Sequence, residues 1–292
     1  MPTRHALLAA LAAAFWGLNI VAIHQSLEHF PPLFLGGLRF LLLAVPAVLF
    51  VPWPGVRVRH LLGFGLGTGT LQFVGLYLGM AAGFPAGLAS LVLTCAAPLT
   101  VLLGALMLRE RVTGRAAAGV GLALVGLGVA GSVRGGLDGW GPFLLVLLGA
   151  LGWALGNLAS RRAMPERPLA LVLWMSVVPP VPMLGLSLMV EGPEEIAEAV
   201  SGSSSWEAVP AWAGLVYTVL VGSLVAPTIW AWLLRRHPAG AVAPFSMLVP
   251  VVGFFAAWLA LGERPAGLEI LGGALVVAGV LWGSARRRPV VS

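Results

Sequence analysis

Neutral polar side chains stand within long apolar runs of this 292-residue sequence, and they are the groups best able to hold a small polar molecule. Asn19 follows Trp16 by three positions and Asn157 follows Trp153 by four, and either spacing places both side chains on one face of a helix. A carboxamide has donors and an acceptor, so it can bind the ammonium or the carboxylate of a zwitterion without burying a charge of its own. Alternatively, these amides hold neighbouring helices together.

Hydroxyl and aromatic residues in the same runs complete a candidate binding set. Small-molecule sites are mostly apolar, with a few polar groups that fix the orientation of the ligand. Trp16 and Trp230 have an alternative role in the aromatic belts at the membrane surfaces. The ten predicted substrate-binding residues are Trp16, Asn19, Arg39, Gln72, Tyr77, Thr94, Trp153, Asn157, Trp230 and Ser246.

Arg39 carries the one charge that lies plainly inside an apolar run. It lies about seven residues, or roughly 10 Å at 1.5 Å per residue, from the nearer end of its run. A charge within the membrane is costly and is usually functional or paired. Three interpretations are open at this point: Arg39 contacts the carboxylate of a substrate, its side chain snorkels to the surface, or it pairs with Glu263.

Pro98 and Pro250 are predicted to kink two helices at matching places in the two halves of the chain. Each lies within an apolar run, where proline leaves a carbonyl oxygen without its helical donor. Paired interruptions of this kind point to a substrate site near the midplane of a transporter. The alternative is a kink that serves packing alone.

The composition excludes most soluble classes of protein. Hydrophobic residues make up 59% of the chain, charged residues make up 10%, and the mean hydropathy is +0.97. A soluble domain carries about 25% charged residues. All 17 basic residues are arginines in short clusters between the apolar runs, so we interpret the isoelectric point near 11.2 as a signal for orientation in the bilayer and not as a nucleic-acid surface.

The sequence contains no carboxylate pair, histidine cluster, nucleophile–base set or Walker motif. We therefore predict neither an enzyme nor an ATP-driven pump, and we expect no metal and no other cofactor. The single cysteine, Cys95, excludes an internal disulfide.

Continuous apolar runs predict an all-α integral membrane protein with ten transmembrane helices. The first run is long enough to span the bilayer, so we expect a retained helix and not a cleaved signal peptide. The ten predicted spans are residues 5–25, 32–51, 60–81, 86–108, 115–132, 141–160, 168–190, 210–234, 239–261 and 267–285.

The arginines predict how these spans are oriented. With ten spans, 14 arginines lie on the side of the two termini, and two, Arg134 and Arg264, lie on the other side. Because cytoplasmic loops carry the excess of basic residues, we expect a multi-pass plasma membrane protein with both termini in the cytoplasm. The acidic segment 191–209 is then a long loop on the outside.

The two halves of the chain repeat each other, with an offset of 153 residues in the later part of each half. The predicted repeats are residues 1–135 and 136–292. Each holds five helices, an odd number, so the two copies must lie in opposite orientations in the membrane. Inverted repeats are a recurring plan of secondary transporters. The matching positions are Pro85-Ala86-Gly87 with Pro238-Ala239-Gly240, Glu110-Arg111 with Glu263-Arg264, Gly119 with Gly272, and Gly126 with Gly279.

Short motifs along nearly the whole chain are Trp16-Gly17-Leu18-Asn19, Gly37-Leu38-Arg39-Phe40, Gln72-Phe73, Pro85-Ala86-Gly87-Leu88-Ala89-Ser90, Gly156-Asn157 and Leu248-Val249-Pro250-Val251-Val252-Gly253. Together they resemble the EamA-type family of the drug/metabolite transporter superfamily. The resemblance implies two inverted five-helix repeats around a central cavity, with spans 5 and 10 at the periphery. It also implies export of amino acids and related metabolites such as cysteine or O-acetylserine.

Two stretches depart from the family pattern in helices that the resemblance places around the cavity. Residues Thr94 to Pro98 stand where an amide-containing stretch without the proline is usual. Ala226-Pro227 stands where a tyrosine is usual. These departures leave the substrate open.

We therefore predict a secondary transporter that exports amino acids or related small metabolites by alternating access. Its expected partners are a small-molecule substrate and the lipid bilayer, with no nucleic acid, and we expect a monomer or a homodimer. The alternative is an exporter of drugs or aromatic compounds, since the chain has 11 tryptophans and 12 phenylalanines. A membrane-embedded enzyme or a lipid-handling protein is less favoured, because no reactive set converges.

Overall fold

Ten apolar helices form the protein in a computed structural model that describes residues 1–109, 112–132 and 137–284. Within these ranges, nine helices are long and apolar enough to cross a membrane, the tenth is apolar and slightly shorter, and no strand occurs. The predicted all-α fold with ten spans is therefore confirmed. The helices are α1 (Thr3–Leu27), α2 (Pro32–Phe50), α3 (Val58–Ala81), α4 (Ala86–Leu108), α5 (Gly114–Ser132), α6 (Trp140–Ala163), α7 (Pro168–Val190), α8 (Trp206–Arg236), α9 (Ala243–Leu261) and α10 (Gly267–Gly283).

The two halves of the bundle make reciprocal contacts. Helix α1 packs on α8 and α9 of the second half, and α6 packs in the same way on α3 and α4 of the first half. Helix α2 lies against α7, and α5 lies against α10. This exchange is the pattern of two inverted five-helix repeats, as predicted. Glu110, Arg111, Arg134 and residues 286–288, which enter the sequence predictions, lie outside the described ranges.

Helices α5 and α10 pack chiefly against each other, through glycines. A Cβ atom added to Gly119 would lie 2.5 Å from the carbonyl oxygen of Gly279, and one added to Gly126 would lie 2.6 Å from that of Gly272. Side chains at these crossings would force the backbones apart. The repeated glycines of the two halves therefore serve the close approach of helices within lipid.

Pro98 and Pro250 each follow an interruption of a helix. Helix α4 is interrupted at Cys95, and Pro98 is the third residue of its second segment, Ala96–Leu108. Helix α9 begins as a 3₁₀ turn, and Pro250 is the third residue of the α-helical segment Leu248–Leu261. Proline is tolerated in the first turn of a helix, where its missing N–H has no intrahelical partner. The two halves thus carry their breaks at matching places.

Helices α3 and α8 each contain a π-helical segment, which the sequence interpretation missed. The segments are Gly65–Leu71 and Thr218–Val225, and their first residues are 153 positions apart, the offset of the repeat. In α8 the N–H of Ala226 bonds to the carbonyl of Val221, five residues back. Pro227 follows directly and has no N–H to give to an α-helical partner. Such segments are rare and occur frequently at functional sites.

Two other elements differ from the predictions. Helix α7 is divided into Pro168–Met175 and Pro180–Val190, because consecutive prolines at the start of the second part remove two helical donors. The predicted loop 191–209 contains a short helix, Gly192–Ser201. The carboxylate of Glu191 before it accepts hydrogen bonds from the first N–H groups of α2, at 2.5 Å from Leu33 and 3.0 Å from Phe34.

Candidate functional site

Arg39 extends from α2 into the bundle, where only 4% of its surface is exposed. Its Nη1 donates a hydrogen bond to Tyr77 Oη at 3.0 Å, and its Nη2 donates to Ser223 Oγ at 2.9 Å. The guanidinium carbon lies 4.1 Å from the ring centre of Phe73. Its Nε is buried and has no hydrogen-bond partner among the described residues. The cation is thus held by two hydroxyls and an aromatic ring.

No carboxylate of the described residues pairs with Arg39. Glu263 bonds instead to the start of α4, where its two oxygens accept from the N–H of Ala86 at 2.7 Å and of Gly87 at 3.0 Å. The pairing of Arg39 with Glu263 is therefore wrong, and snorkelling does not occur because the side chain is buried. Contact of Arg39 with the carboxylate of a substrate stays a prediction.

Trp16 and Asn19 of α1 both reach Gly222 in the π-helical segment of α8. Trp16 Nε1 donates to the carbonyl oxygen of Gly222 at 3.0 Å. A Cβ atom on Gly222 would lie 2.7 Å from Asn19 Oδ1, so a larger residue here would displace the amide. The rings of Trp16 and Trp230 meet edge to face, with centroids 5.4 Å apart. The spacing that predicted one face for Trp16 and Asn19 matches these contacts.

The two groups of side chains meet at consecutive residues of α8, because Gly222 contacts Asn19 and Ser223 holds Arg39. Arg39 also bonds to Tyr77, and Trp16 meets Trp230, so five of the ten predicted binding residues belong to one connected group of side chains. We call this cluster the Arg39 site. Its residues are Trp16, Asn19, Arg39, Phe73, Tyr77, Gly222, Ser223 and Trp230.

Ser223 is a residue of the site that the sequence interpretation missed. Its hydroxyl donates to the carbonyl oxygen of Thr218 at 2.9 Å, so the same oxygen is left to accept from Arg39. The repeat contains the signal that could have found it. At the offset of 153 residues, Thr70 matches Ser223 and Tyr77 matches Trp230, so that polar and aromatic residues recur around both π-helical segments.

Several other buried polar atoms of these helices have no hydrogen-bond partner among the described residues. Buried polar groups are nearly always bonded, so an exception within an apolar helix calls for a ligand or a water molecule. Gln72, which was predicted from the sequence, is 7% exposed and belongs to this group. The atoms in α1, α3 and α8 are Asn19 Oδ1, His24 Nδ1, Thr68 Oγ1, Thr70 Oγ1, Gln72 Oε1 and Thr218 Oγ1.

Asn157 and Trp153 on α6 make no hydrogen bond to the Arg39 site among the described residues. Asn157 Nδ2 donates to Thr100 Oγ1 of α4 at 3.3 Å, a contact that ties two helices together. Trp153 is half-buried and packs against the main hydrophobic core. Thr100 is a second polar residue that the sequence interpretation missed.

Thr94 and Ser246 were predicted to line the site, but their hydroxyls bond to their own helices. Thr94 Oγ1 donates to the carbonyl oxygen of Ser90 at 3.0 Å, and Ser246 Oγ donates to that of Ala243 at 2.7 Å. Neither makes a polar contact with the Arg39 site among the described residues.

Comparison with known proteins identifies the family. The chain matches the EamA-like transporter family over residues 3–131 and 140–284. It is 38% identical to the probable amino-acid metabolite efflux pumps of Salmonella typhimurium and Escherichia coli, over 96% of this chain and 94% of each relative. It is also 29% identical to a probable terminal-alkyne amino-acid exporter of Streptantibioticus cattleyicolor, over 68% of this chain and 63% of that protein.

A crystal structure with 20% sequence identity aligns over 97% of this chain and 98% of its own, with a TM-score of 0.63, which shows a shared fold. The ten helices, the reciprocal packing of the halves and the matched sequence ranges all agree. The chain belongs to the EamA-like transporter family of the drug/metabolite transporter superfamily.

Proposed function

We propose that this chain exports amino acids or closely related metabolites, and that Arg39 receives the carboxylate of the substrate. The observation that carries the proposal is a nearly fully buried arginine with no carboxylate partner among the described residues. A buried charge without a counter-charge is costly in a membrane, and a substrate carboxylate would supply the missing charge. The names of the relatives, which are efflux pumps and exporters for amino-acid compounds, support this class of substrate and an outward direction.

Unused donors at the Arg39 site fit a carboxylate. Arg39 Nε has no partner among the described residues, and the Tyr77 hydroxyl accepts from Arg39, which leaves its own hydrogen to donate. A carboxylate has two oxygens and accepts several hydrogen bonds, so it can bridge these two donors. Charge-assisted bonds of this kind are shorter and stronger than neutral ones.

Free acceptors beside the same segment of α8 fit the ammonium of an amino acid. Asn19 Oδ1 and Thr218 Oγ1 are buried without partners, and Asn19 touches the residue that precedes Ser223. An ammonium has three donors and no acceptor, so neutral oxygens can bind it without a buried carboxylate. The site would therefore favour zwitterions over simple cations, which the arginine repels.

Transport at this site requires movement of the helices, because Tyr77 is fully buried and Arg39 nearly so. Alternating access supplies that movement by rocking one repeat against the other. The π-helical segments of α3 and α8 and the breaks in α4 and α9 lie at matching places in the two halves. We propose that they act as the points of bending.

The test is flux from proteoliposomes loaded separately with labelled cysteine, O-acetylserine, threonine and an aromatic amino acid, with and without a pH gradient. We expect saturable flux of at least one substrate, and a large loss of that flux in Asn19→Ala. Thr228→Ala serves as the control, because this exposed hydroxyl on α8 bonds only to its own helix in the described structure. Unchanged kinetics in Asn19→Ala, from protein of normal expression and elution, would remove Asn19 from the site.

An exporter of aromatic compounds is the second candidate, and the edge-to-face pair of Trp16 and Trp230 favours it. The two proposals differ in what competes for transport. An aromatic amine without a carboxylate should compete strongly if the aromatic rings provide most of the affinity. It should compete weakly if the contact with Arg39 provides most of the affinity.

A further inference from the structure

A groove of about 680 Å³ lies between the start of α1 and the end of α8, away from the Arg39 site. Its polar wall holds Arg4, His5, Trp232 and Arg236, and its apolar wall includes Leu7 and Leu11. We propose that this groove binds an anionic glycerophospholipid, with the phosphate at the arginines and an acyl chain along the leucines. The proposal concerns a second site and does not depend on which substrate the chain transports.

The charge of the groove favours a phosphate group. Neither Arg4 nor Arg236 forms an ion pair within the described part of the chain, and no acidic residue lines the groove. The guanidinium carbon of Arg236 lies 4.0 Å from the ring centre of Trp232, and this cation–π contact holds the side chain at the groove. A guanidinium binds phosphate through two parallel hydrogen bonds, so the arginine of α1 and the arginine of α8 can clamp one phosphate between them.

A pair of histidines joins the two helices that form the groove. His5 Nδ1 and His237 Nε2 are 2.6 Å apart and share a hydrogen bond between α1 and the residue that follows α8. The His5 ring also meets Trp232 edge to face, at 5.0 Å between centroids. These contacts hold Arg4 and Arg236 at a common opening, because each arginine is the chain neighbour of one of the paired histidines.

The apolar wall selects a lipid over a soluble phosphate. Leu7 is 66% exposed and Leu11 is 43% exposed, and their spacing of four residues puts them on one face of α1. Next to the bilayer this face meets acyl chains. Arg4 lies in the first turn of α1 and Arg236 is the last residue of α8, so both charges lie at the helix ends, where headgroups are found. The volume of the groove is within the range of small-molecule sites, about 300–1,000 Å³.

The experiment uses the full chain in phosphatidylcholine vesicles and measures quenching of tryptophan fluorescence by brominated lipids. Brominated phosphatidylglycerol is compared with brominated phosphatidylcholine at high ionic strength, which screens diffuse attraction to the surface. Trp232 lies in the groove. Its share of the quenching is the difference between the unmodified chain and Trp232→Phe. We expect phosphatidylglycerol to quench this share at a lower mole fraction than phosphatidylcholine.

Charge variants test whether the lipid preference comes from the arginines of the groove. Each groove arginine should contribute about fivefold to the preference, so Arg4→Gln with Arg236→Gln should lower it about 25-fold. Arg235→Gln removes a neighbouring exposed arginine that is not part of the groove wall, and it should leave the preference unchanged. Equal quenching by the two lipids in the unmodified chain, or an equal loss in Arg235→Gln, would overturn the proposal.

Discussion

Neutral side chains hold Arg39 in place, so a ligand can still add the negative charge that they lack. Hydrogen bonds from a charged group contribute about 1.5–3 kcal/mol, and a ring beneath a cation contributes about 0.5–2 kcal/mol. Tyr77, Ser223 and Phe73 supply these terms. They leave the positive charge uncompensated, so a bound carboxylate would stabilise the site further.

Substitution of Tyr77, with Tyr217 as the control, tests the contact between Tyr77 and Arg39. Tyr77→Phe should lower the free energy of unfolding by about 1.5–3 kcal/mol, because it removes an acceptor from a buried cation. Tyr217→Phe is the matched control. Its hydroxyl is half-buried and donates to the neutral carbonyl of Phe15 at 3.1 Å, so its loss should cost about 1 kcal/mol or less. Unfolding of both purified variants in detergent measures the difference, and equal losses would show that Arg39 does not depend on Tyr77.

The sequence predicted some side chains of the site and missed others for physical reasons. Arg39 stood out because charge is rare in the membrane, and helical spacing placed Trp16 beside Asn19. Ser223 did not stand out, because its partner is 184 residues away and a single serine in an apolar run carries little signal. Thr94 stays a prediction, and its hydroxyl donates to a carbonyl oxygen of the preceding turn, as is usual for a helical threonine.

The helices themselves were predicted well, and their irregular segments were not. Lipid forces a spanning chain into helices, so hydropathy alone gave ten spans. Hydropathy does not distinguish an α-helix from a π-helix. The segment Thr218–Val225 was therefore predicted as part of a regular α-helix. The break in α7 at residues 176–179 was readable from the proline pair at its end, but the apolar run around it dominated the prediction.

Glycines within α5 provide a matched test of how it packs on α10. Gly119→Ala should destabilise the protein, because its Cβ would lie 2.5 Å from a carbonyl oxygen of α10. Gly128→Ala on the same helix meets open space and should stabilise it by up to about 1 kcal/mol through helix propensity. Thermal unfolding of the two variants in detergent measures both effects. Equal behaviour of the two variants would contradict the close crossing of α5 and α10.

The arrangement of the whole chain followed from two sequence signals, a repeat with an odd number of helices and the spacing of its glycines. The reciprocal packing of α1 and α6 agrees with both. Orientation in the membrane remains a prediction from the arginines. It states that residues around Arg59 face the cytoplasm and that the helix Gly192–Ser201 lies outside.

Cysteine labelling tests this orientation. In a Cys95→Ser background, Ser201→Cys should react with a membrane-impermeant maleimide added to intact cells, and Arg59→Cys should react only after the membrane is opened. Both positions are exposed in the structure, so access depends on the side of the membrane and not on burial. The reverse pattern of labelling would invert the predicted topology.

The most direct test of the central claim compares transport of an amino acid with transport of its carboxamide, in the unmodified chain and in Arg39→Gln. The unmodified chain should prefer the acid by about 10- to 150-fold in kcat/KM, the equivalent of about 1.5–3 kcal/mol for a charge-assisted contact. Arg39→Gln should lower this preference to within about threefold, since a neutral amide bonds both groups similarly. Arg59→Gln, which removes an exposed charge, should keep the full preference. A preference for the acid that survives intact in Arg39→Gln would contradict the assignment of Arg39 as the carboxylate receptor.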